Sequence, residues 1–129
     1  MRRPFEPLSP LLEQNPDLHA ILLDLPGPIE EATVHVEARG LGERVTLAPA
    51  DAFTYEPNRE VDLIMISNML HMLGPELSRL LIQRCGALLR PGARLVVQAQ
   101  FLDADRTSPR WATLLNLIQL TTTEGGRNH

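Results

Sequence analysis

The sequence predicts an α/β fold with a mainly parallel sheet, and three observations support this prediction. Short segments rich in branched aliphatic residues alternate along the chain with segments of helical periodicity. The strand-like segment VDLIMIS, residues 61–67, has no polar alternation, which is typical of strands covered on both faces of a parallel sheet. The 129 residues, 43% hydrophobic and 22% charged, are enough for one hydrophobic core. We therefore expect a single domain over residues 1–129.

Four segments have the length and composition of strands. Each is bounded by Gly, Pro or Asp, and they are HAILLDL (19–25), RVTLA (44–48), VDLIMIS (61–67) and ARLVVQAQ (93–100). A helix is predicted over PIEEATVHVEAR, residues 28–39, with Pro28 near its start. Acidic Glu30 and Glu31 then fall in its first turn, and Gly40 lies just past its end.

Two later segments also have helical patterns. PELSRLLIQRCGALL begins at Pro75 and sets four residues on one face, namely Leu77, Leu81, Cys85 and Leu88. SPRWATLLNLIQL opens with Ser108 as an N-cap and Pro109 at the first helical position. With a helix before the first strand, the predicted order is helix, strand, helix, strand, strand, helix, strand, helix, which is the pattern of α/β proteins.

Composition excludes several classes of function. The net charge of -4 argues against a nucleic-acid or anionic-membrane surface. No run approaches the ~18 apolar residues of a spanning helix, and no apolar segment follows MRRPFEP, so we expect a cytoplasmic protein without a membrane partner. The single cysteine, Cys85, excludes an internal disulfide. The four histidines are scattered without zinc-ligand spacing, so we expect no metal site.

Candidate functional residues lie where the predicted strands end, because parallel sheets bind ligands beyond the carboxyl ends of their strands. Asp24 ends the first strand, where it could accept hydrogen bonds from a ribose diol or simply begin the turn DLPGP. Asp51 and Phe53 follow the second strand, where an acid and an aromatic ring suit a purine, although turn formation by the aspartate is the commoner interpretation.

The ends of the third and fourth strands carry further polar residues. Ser67 and Asn68 end the third strand, and His71 follows about one turn later, where it could act as a base or as a polar cap before Gly74. The fourth strand ends near Gln98 and Gln100, which are polar residues on an otherwise apolar segment. A histidine with an unperturbed pKa near ~6.5 is largely neutral at cellular pH and can take a phenolic proton.

Four separated motifs resemble the S-adenosylmethionine-dependent small-molecule O-methyltransferases that act on plant phenolics and bacterial polyketides. In order, they are LLDLPGPIEEATVHVEARGLGERVTLAPADAF, VDLIMISNMLHML, LIQRCGALLRPGARLVV and TTTEGGR, which together cover residues 11–127. The resemblance implies S-adenosylmethionine as cofactor and a small-molecule hydroxyl acceptor, aromatic or polyketide, as substrate.

The resemblance also implies roles for individual residues. It places Asp24 at the position that binds the cofactor ribose, with Leu25 beside it, and Asp51 with Ala52 or Phe53 at the positions that address the adenine. It places Ser67 at a cofactor-contacting position. His71 matches the histidine that deprotonates the acceptor hydroxyl in the family's His-Asp-Trp signature.

The sequence departs from the family pattern in ways that affect the expected activity. Met72 and Leu73 follow His71 where the family has Asp and Trp, and Ala99 matches the position of a glutamate that orients the histidine. The chain has no glycine before Gly27, although a glycine-rich turn is expected ~20 residues before Asp24. We therefore expect a partial Rossmann-like methyltransferase fold of about four strands that lacks the glycine-rich first strand-turn and the C-terminal strands. Its affinity for the cofactor should be weak.

These departures leave three hypotheses for function. The first is an O-methyltransferase domain fragment or subunit that is completed by missing parts or by another chain. The others are a cofactor-free enzyme that reuses the cleft and a non-catalytic binding or assembly protein. Without the central strand of the family's sheet, we expect strand 19–25 to pair directly with strand 61–67, and the chain to form a homodimer or larger oligomer. The contact is predicted along the helix from Pro109 to Leu120, around Trp111 and Leu115.

Overall fold

The computed structural model describes residue 5, residues 8–99 and residues 101, 104 and 114. Three α-helices and four strands follow one another along these residues, with a short 3-10 turn at Leu70–Met72. In chain order they are α1 (Ser9–Gln14), β1 (Ala20–Asp24), α2 (Pro26–Ala38), β2 (Val45–Pro49), β3 (Val61–Ser67), α3 (Pro75–Leu88) and β4 (Leu89–Gln98). The chain divides into two compact units, Met1–Tyr55 and Glu56–His129. Of the predicted helix over residues 108–120, Leu114 is described and is helical, and the other residues lie outside the described part of the chain.

The first unit contains a parallel β1–β2 pair joined through α2. The pairing runs in register from Ala20 opposite Val45 to Asp24 opposite Pro49. Helix α2 packs against both strands. The unit has its own hydrophobic core, formed by Phe5, Leu12, Ala32, Val36, Leu41 and Val45. Full burial of a valine, leucine or phenylalanine side chain contributes about 1.5–3 kcal/mol, so this cluster stabilises the unit.

Helix α2 begins two residues earlier than its sequence pattern predicts. It starts at Pro26, and no acidic residue lies in its first turn, so the placement of Glu30 and Glu31 in that turn was wrong. DLPGP contains two prolines, and the first of them occupies the favoured first helical position. The predicted end is confirmed, because Gly40, at φ +66, follows the last turn.

Arg44 ties the residues around α1 to the start of β2. Its guanidinium donates hydrogen bonds to three backbone carbonyls, those of Leu18 (3.1 Å), Leu12 (2.7 Å) and Asn15 (2.6 Å). The last carbonyls of a helix have no partner within the helix, so a side chain that reaches them stabilises the helix end. A planar group with five donors is suited to bridging several carbonyls at once.

The second unit contains a parallel β3–β4 pair joined through α3. The strands are in continuous register from Leu63 opposite Arg94 to Ser67 opposite Gln98. Strand β3 matches the predicted boundaries residue for residue. Strand β4 starts at Leu89, four residues before the predicted segment, because a bulge accommodates the Pro91-Gly92 turn sequence. Gly92 adopts φ +79 there, a conformation that favours glycine.

The β3–β4 pair has one buried and one exposed face. Ile66 is 6% exposed, whereas Leu63 and Met65, which alternate with it, are 41% and 37% exposed. The expectation that β3 is covered on both faces was therefore wrong. The described part of this unit supplies one α-helix, α3, which packs against β4 and can cover one face of a two-stranded pair.

Helix α3 confirms its predicted start at Pro75, but its buried residues differ from the predicted face, and Leu88 of that face is only half-buried. Ser78, Leu81 and Cys85 are buried, whereas Leu77 is 48% exposed. Leu77 lies in the first turn of the helix. The Ser78 side chain occupies the buried position and lies 3.5 Å from the carbonyl of Leu70.

The expected pairing of β1 with β3 is also wrong. Among the described strands, β1 pairs with β2 and β3 pairs with β4, in two separate two-stranded sheets. Each observed pair joins strands that are consecutive in sequence and linked by one helix, which is the commonest arrangement for parallel strands. Within the described part of the chain, no helix is long and apolar enough to cross a bilayer.

Candidate functional site

The candidate residues of the first unit lie at the carboxyl ends of β1 and β2. Asp24 is the last residue of β1 and pairs in register with Pro49, the last residue of β2. The backbone N–H of Ala50 donates to the carbonyl of Asp24 at 3.0 Å, which extends the pairing by one residue. Asp51 follows immediately. The parallel register therefore brings Asp24 and Asp51 to the same edge of the strand pair.

Both carboxylates are oriented by nearby backbone N–H groups. The N–H of Leu25 donates to Asp24 Oδ1 at 2.8 Å, and the N–H of Phe53 donates to Asp51 Oδ1, also at 2.8 Å. The second contact is an Asx-turn. The N–H groups of Thr54 and Tyr55 donate to the Asp51 carbonyl at 3.1 and 2.9 Å, so Asp51 organises the turn that follows β2. Turn formation by Asp51, one of its two interpretations, is thus observed.

The apolar candidates of this group flank the two carboxylates in sequence. Leu25 is 60% exposed at the N-terminus of α2, which is a large exposure for a leucine. Ala52 and Phe53 are half-buried in the turn after β2. Carboxylate oxygens are acceptors, and an aromatic ring offers a flat apolar surface. This edge can therefore bind a ligand that combines hydroxyl or amino donors with a flat ring.

The second unit brings Ser67 together with Gln98. These residues are register partners at the carboxyl ends of β3 and β4. The Ser67 hydroxyl donates to Gln98 Oε1 at 3.0 Å, and the N–H of Asn68 donates to the Gln98 carbonyl at 2.7 Å. Asn68 has φ +49, and it is the one non-glycine residue in the described part of the chain reported with a positive φ.

His71 lies in the 3-10 turn that follows this junction. The turn is closed by hydrogen bonds from the N–H of Met72 to the Met69 carbonyl and from the N–H of Leu73 to the Leu70 carbonyl, both 3.0 Å. Leu70 is buried at 4% exposure and anchors the turn, whereas His71 is half-buried. His71 thus lies on a short, packed element and is only partly covered.

Sequence reasoning singled out Gln98 as a polar residue on an apolar strand but assigned it no partner. The contact with Ser67 depends on the register of two strands that are about 30 residues apart, and a single sequence does not reveal that register. The residue type was the one sequence feature that could have indicated the positive φ at Asn68, because asparagine tolerates this conformation better than most residues. In the part of the chain that the structure describes, no three His, Cys, Asp or Glu side chains form a group that could hold a metal ion.

Comparison with known proteins gives the family to which this chain belongs. The O-methyltransferase domain model matches residues 9–129. The chain therefore belongs to the O-methyltransferase domain family.

Individual relatives agree with this assignment. The 3-amino-4-hydroxybenzoate 4-O-methyltransferase of Streptomyces cremeus is 32% identical over 93% of this chain and 32% of its own length. The solved apo structure of the S-adenosylmethionine-dependent methyltransferase SibL superposes with a TM-score of 0.82 at 30% identity, over 97% of this chain and 37% of that one. The first of these relatives methylates a hydroxyl of an aromatic acid, and the second is a methyltransferase that depends on S-adenosylmethionine.

A third relative is a hydroxylase and not a methyltransferase by name. The aclacinomycin 10-hydroxylase RdmB of Streptomyces purpurascens is 32% identical over 88% of this chain and 30% of its own length. The chain spans about a third of the length of these relatives.

Proposed function

We propose that this chain is an O-methyltransferase-like domain that provides the adenosine-binding edge and the base for methyl transfer to a hydroxyl of a small aromatic or polyketide acceptor. The observation that carries the proposal is the arrangement of Asp24 and Asp51 at one edge of the parallel β1–β2 pair. Ligands of open parallel sheets bind beyond this edge.

The donor set of this edge fits S-adenosylmethionine. Asp24 would accept hydrogen bonds from the ribose hydroxyls, with exposed Leu25 against the sugar. Asp51 would accept from the adenine amino group, while Ala52 and Phe53 lie against the ring. Because Leu25 and Phe53 donate backbone N–H groups to these two carboxylates, the side chains are oriented before the ligand arrives. Preorganised acceptors lose less conformational freedom on binding.

In the second unit, Ser67 would contribute a further contact to the cofactor, and His71 would act as general base. When bound, S-adenosylmethionine supplies a methyl group on a positively charged sulfur, so the acceptor oxygen needs only to lose its proton and to be aligned. His71 would take that proton as the new carbon–oxygen bond forms and the carbon–sulfur bond breaks. Its half-buried position on a packed turn is compatible with this role.

The sequence also argues for weak activity of the chain by itself. Met72, Leu73 and Ala99 replace the residues that follow or orient the histidine in the family, and an unoriented imidazole is a poorer base. No glycine precedes Gly27 to form a turn that approaches the methionine part of the cofactor. We therefore propose millimolar affinity for the cofactor, and a homo-oligomer or completion by another chain as the active form.

A titration with the demethylated product S-adenosylhomocysteine tests the proposal. In ¹⁵N-labelled protein, amide signals of Leu25 and Phe53 should shift saturably, with a dissociation constant near 1 mM, which is about −4 kcal/mol. Asp24→Ala should weaken binding about tenfold, because hydrogen bonds to charged groups contribute about 1.5–3 kcal/mol. Asp17→Ala, at an exposed position in the same unit, is the matched control and should bind unchanged.

Two results would contradict the proposed cofactor site. One is the absence of any saturable shift up to 10 times the expected dissociation constant, about 10 mM. The other is equal affinity of the Asp24→Ala and Asp17→Ala variants. Micromolar binding by the chain alone would retain the site but refute the proposed weak affinity.

A second candidate function is an enzyme that keeps this fold without transferring a methyl group. The similarity to a hydroxylase at 32% identity favours it, together with the replacements after His71. The two candidates differ in the fate of the methyl group. Methyl transfer puts label from methyl-labelled cofactor into the acceptor, whereas the alternative leaves the acceptor unlabelled while it is converted.

A further inference from the structure

The ends of β3 and β4 are joined through one residue, Gln98, which makes two different contacts. Its backbone carbonyl accepts the N–H of Asn68 at 2.7 Å, and its side-chain Oε1 accepts the hydroxyl of Ser67 at 3.0 Å. The first contact fixes the path of the chain from β3 toward the 3-10 turn with His71. The second contact holds the Ser67 side chain against Gln98. Substitution of Gln98 removes the second contact and leaves the first.

The hydrogen bond from Ser67 to Gln98 determines what Ser67 can offer a ligand. A serine hydroxyl has one proton and two lone pairs, and its proton rotates to suit its surroundings. Because Ser67 donates this proton to Gln98 Oε1 at 3.0 Å, its oxygen can interact with other groups only as an acceptor. The side-chain amide NH₂ of Gln98 places hydrogen-bond donors beside this oxygen. An acceptor and a donor are thus paired at the carboxyl end of the β3–β4 sheet.

The hydrogen-bonded side chains of Ser67 and Gln98 are open to solvent, which favours a role in ligand binding over a role in folding stability. The Gln98 side chain is exposed and Ser67 is half-buried. A hydrogen bond that is open to water adds little to stability, because each group can exchange its partner for water. A bound ligand displaces that water, and the orientation of the hydroxyl then affects affinity.

We propose that Gln98 is a positioning residue that orients the Ser67 hydroxyl as an acceptor for a donor group of the cofactor. This inference rests on the proposed function, since it takes Ser67 as a cofactor contact. Gln98 acts through Ser67 and carries no proton during the reaction.

The test is a double-mutant cycle read by titration with S-adenosylhomocysteine. Gln98→Met keeps the length of the side chain and removes the acceptor oxygen, and it should weaken binding roughly fivefold, the effect of one hydrogen bond of ~1 kcal/mol. Gln98→Glu keeps an acceptor for the Ser67 proton and should stay within about twofold of the unaltered chain. Gln83→Met, an exposed glutamine on α3, is the matched control and should bind unchanged.

The decisive measurement repeats Gln98→Met in a Ser67→Ala background. If Gln98 acts through Ser67, the substitution has no further effect there, whereas a general structural role would weaken binding in both backgrounds. Thermal midpoints of all variants should agree with that of the Gln83→Met control, which excludes unfolding as the cause.

The other outcomes contradict either the positioning role of Gln98 or the proposed function itself. Equal losses from Gln98→Met in both backgrounds, or no loss in either, refute positioning by Gln98. Unchanged binding by Ser67→Ala also refutes it, while the proposed function stands on Asp24 and Asp51. If the unaltered chain shows no saturable binding, both the proposed function and this inference are refuted.

Discussion

At the scale of single residues, His71 is the group on which the proposed chemistry depends. In the assembly that methylates an acceptor, His71→Ala should lower turnover roughly 10²- to 10⁴-fold at neutral pH, the range for loss of a positioned general base. The thermal midpoint should change little, because the side chain is only half-buried and the turn is held by buried Leu70. A variant that unfolds while its activity per folded molecule is unchanged would identify His71 as a structural residue.

Asn68 adopts a backbone conformation that most residues avoid. Its φ of +49 lies in the left-handed region, where a residue with a β-carbon is strained. Asn68→Gly should leave the free energy of unfolding unchanged or slightly higher, whereas Asn68→Val should lower it by about 1–2 kcal/mol. Urea denaturation of both variants measures the difference. Equal stability of the two would show that the junction after β3 has another conformation.

Because of Cys85, we expect the free energy of unfolding to decrease at alkaline pH. Burial raises the pKa of its thiol, and the nearby Arg84 offsets this rise in part. The folded chain therefore holds the proton more tightly than the unfolded chain. The free energy of unfolding is unaffected below the ordinary thiol pKa, and it falls once the pH exceeds about 8.5, where the unfolded thiol ionises.

Urea denaturation between pH 7 and 10 measures this effect. Cys85→Ala should show a shallower decrease of stability on the alkaline side than the unaltered chain. Because Cys85 is the only cysteine of the sequence, alkylation at neutral pH provides a second measurement, and it should be slow in the folded chain and fast in urea. Rapid alkylation of the folded chain would contradict the buried, protonated thiol.

At the scale of elements, the end of α2 depends on Gly40. The N–H of Gly40 donates to the Glu37 carbonyl and the N–H of Leu41 donates to the Val36 carbonyl, both at 3.0 Å, which is the hydrogen-bond pattern of a Schellman motif. Leu41 and Val36 are both buried in the core of the first unit. The glycine thus stops the helix and directs the chain back into that core.

Gly40→Ala should lower the free energy of unfolding by about 1 kcal/mol, because alanine is strained at a φ of +66. The space around the position is open, so backbone strain and not a steric clash is the cause. Gly86→Ala is the matched control, since Gly86 lies within α3 and alanine favours a helix. It should be neutral or stabilising in the same denaturation experiment. A loss of stability at Gly86 equal to that at Gly40 would contradict this explanation.

At the scale of the whole molecule, exposed strand groups and apolar surface favour assembly. On the exposed face of β3–β4, Leu63, Met65 and Val96 are each about 40% exposed. In each described sheet, two strands leave outer edges without a strand partner. Unpaired edges and apolar patches promote association. We therefore predict a dimer or larger oligomer in solution.

Light scattering after size exclusion measures this assembly. Trp111→Ala should weaken it, if the segment from Pro109 to Leu120 forms the contact, and Gln83→Ala should not. The residues of that segment, apart from Leu114, lie outside the described part of the chain. A monodisperse 14.4 kDa monomer over a wide range of concentrations would refute the prediction.

The sequence by itself determined the order of the described helices and strands and the bounds of β3, whereas the bounds predicted for β1, β2 and β4 differ from the observed ones by one to four residues. Strand β3 was predicted over its full length from its branched aliphatic residues and the absence of polar alternation. Asp24 and Asp51 were predicted to meet at one edge, because parallel strands bring their carboxyl ends together. The family resemblance, confirmed by comparison over residues 9–129, rests on the same local patterns.

The tertiary structure alone decided which strands pair and which faces are buried. The direct pairing of β1 with β3, the cover on both faces of β3 and the burial of Leu77 were predicted wrongly from local pattern. The hydrogen bond between Ser67 and Gln98 joins residues 31 apart in sequence, and it exists only because one register of β3 on β4 was chosen. Hydrophobic periodicity shows which residues avoid water. Which strand or helix covers each apolar residue is decided by packing and by backbone hydrogen bonding between segments that are distant in sequence.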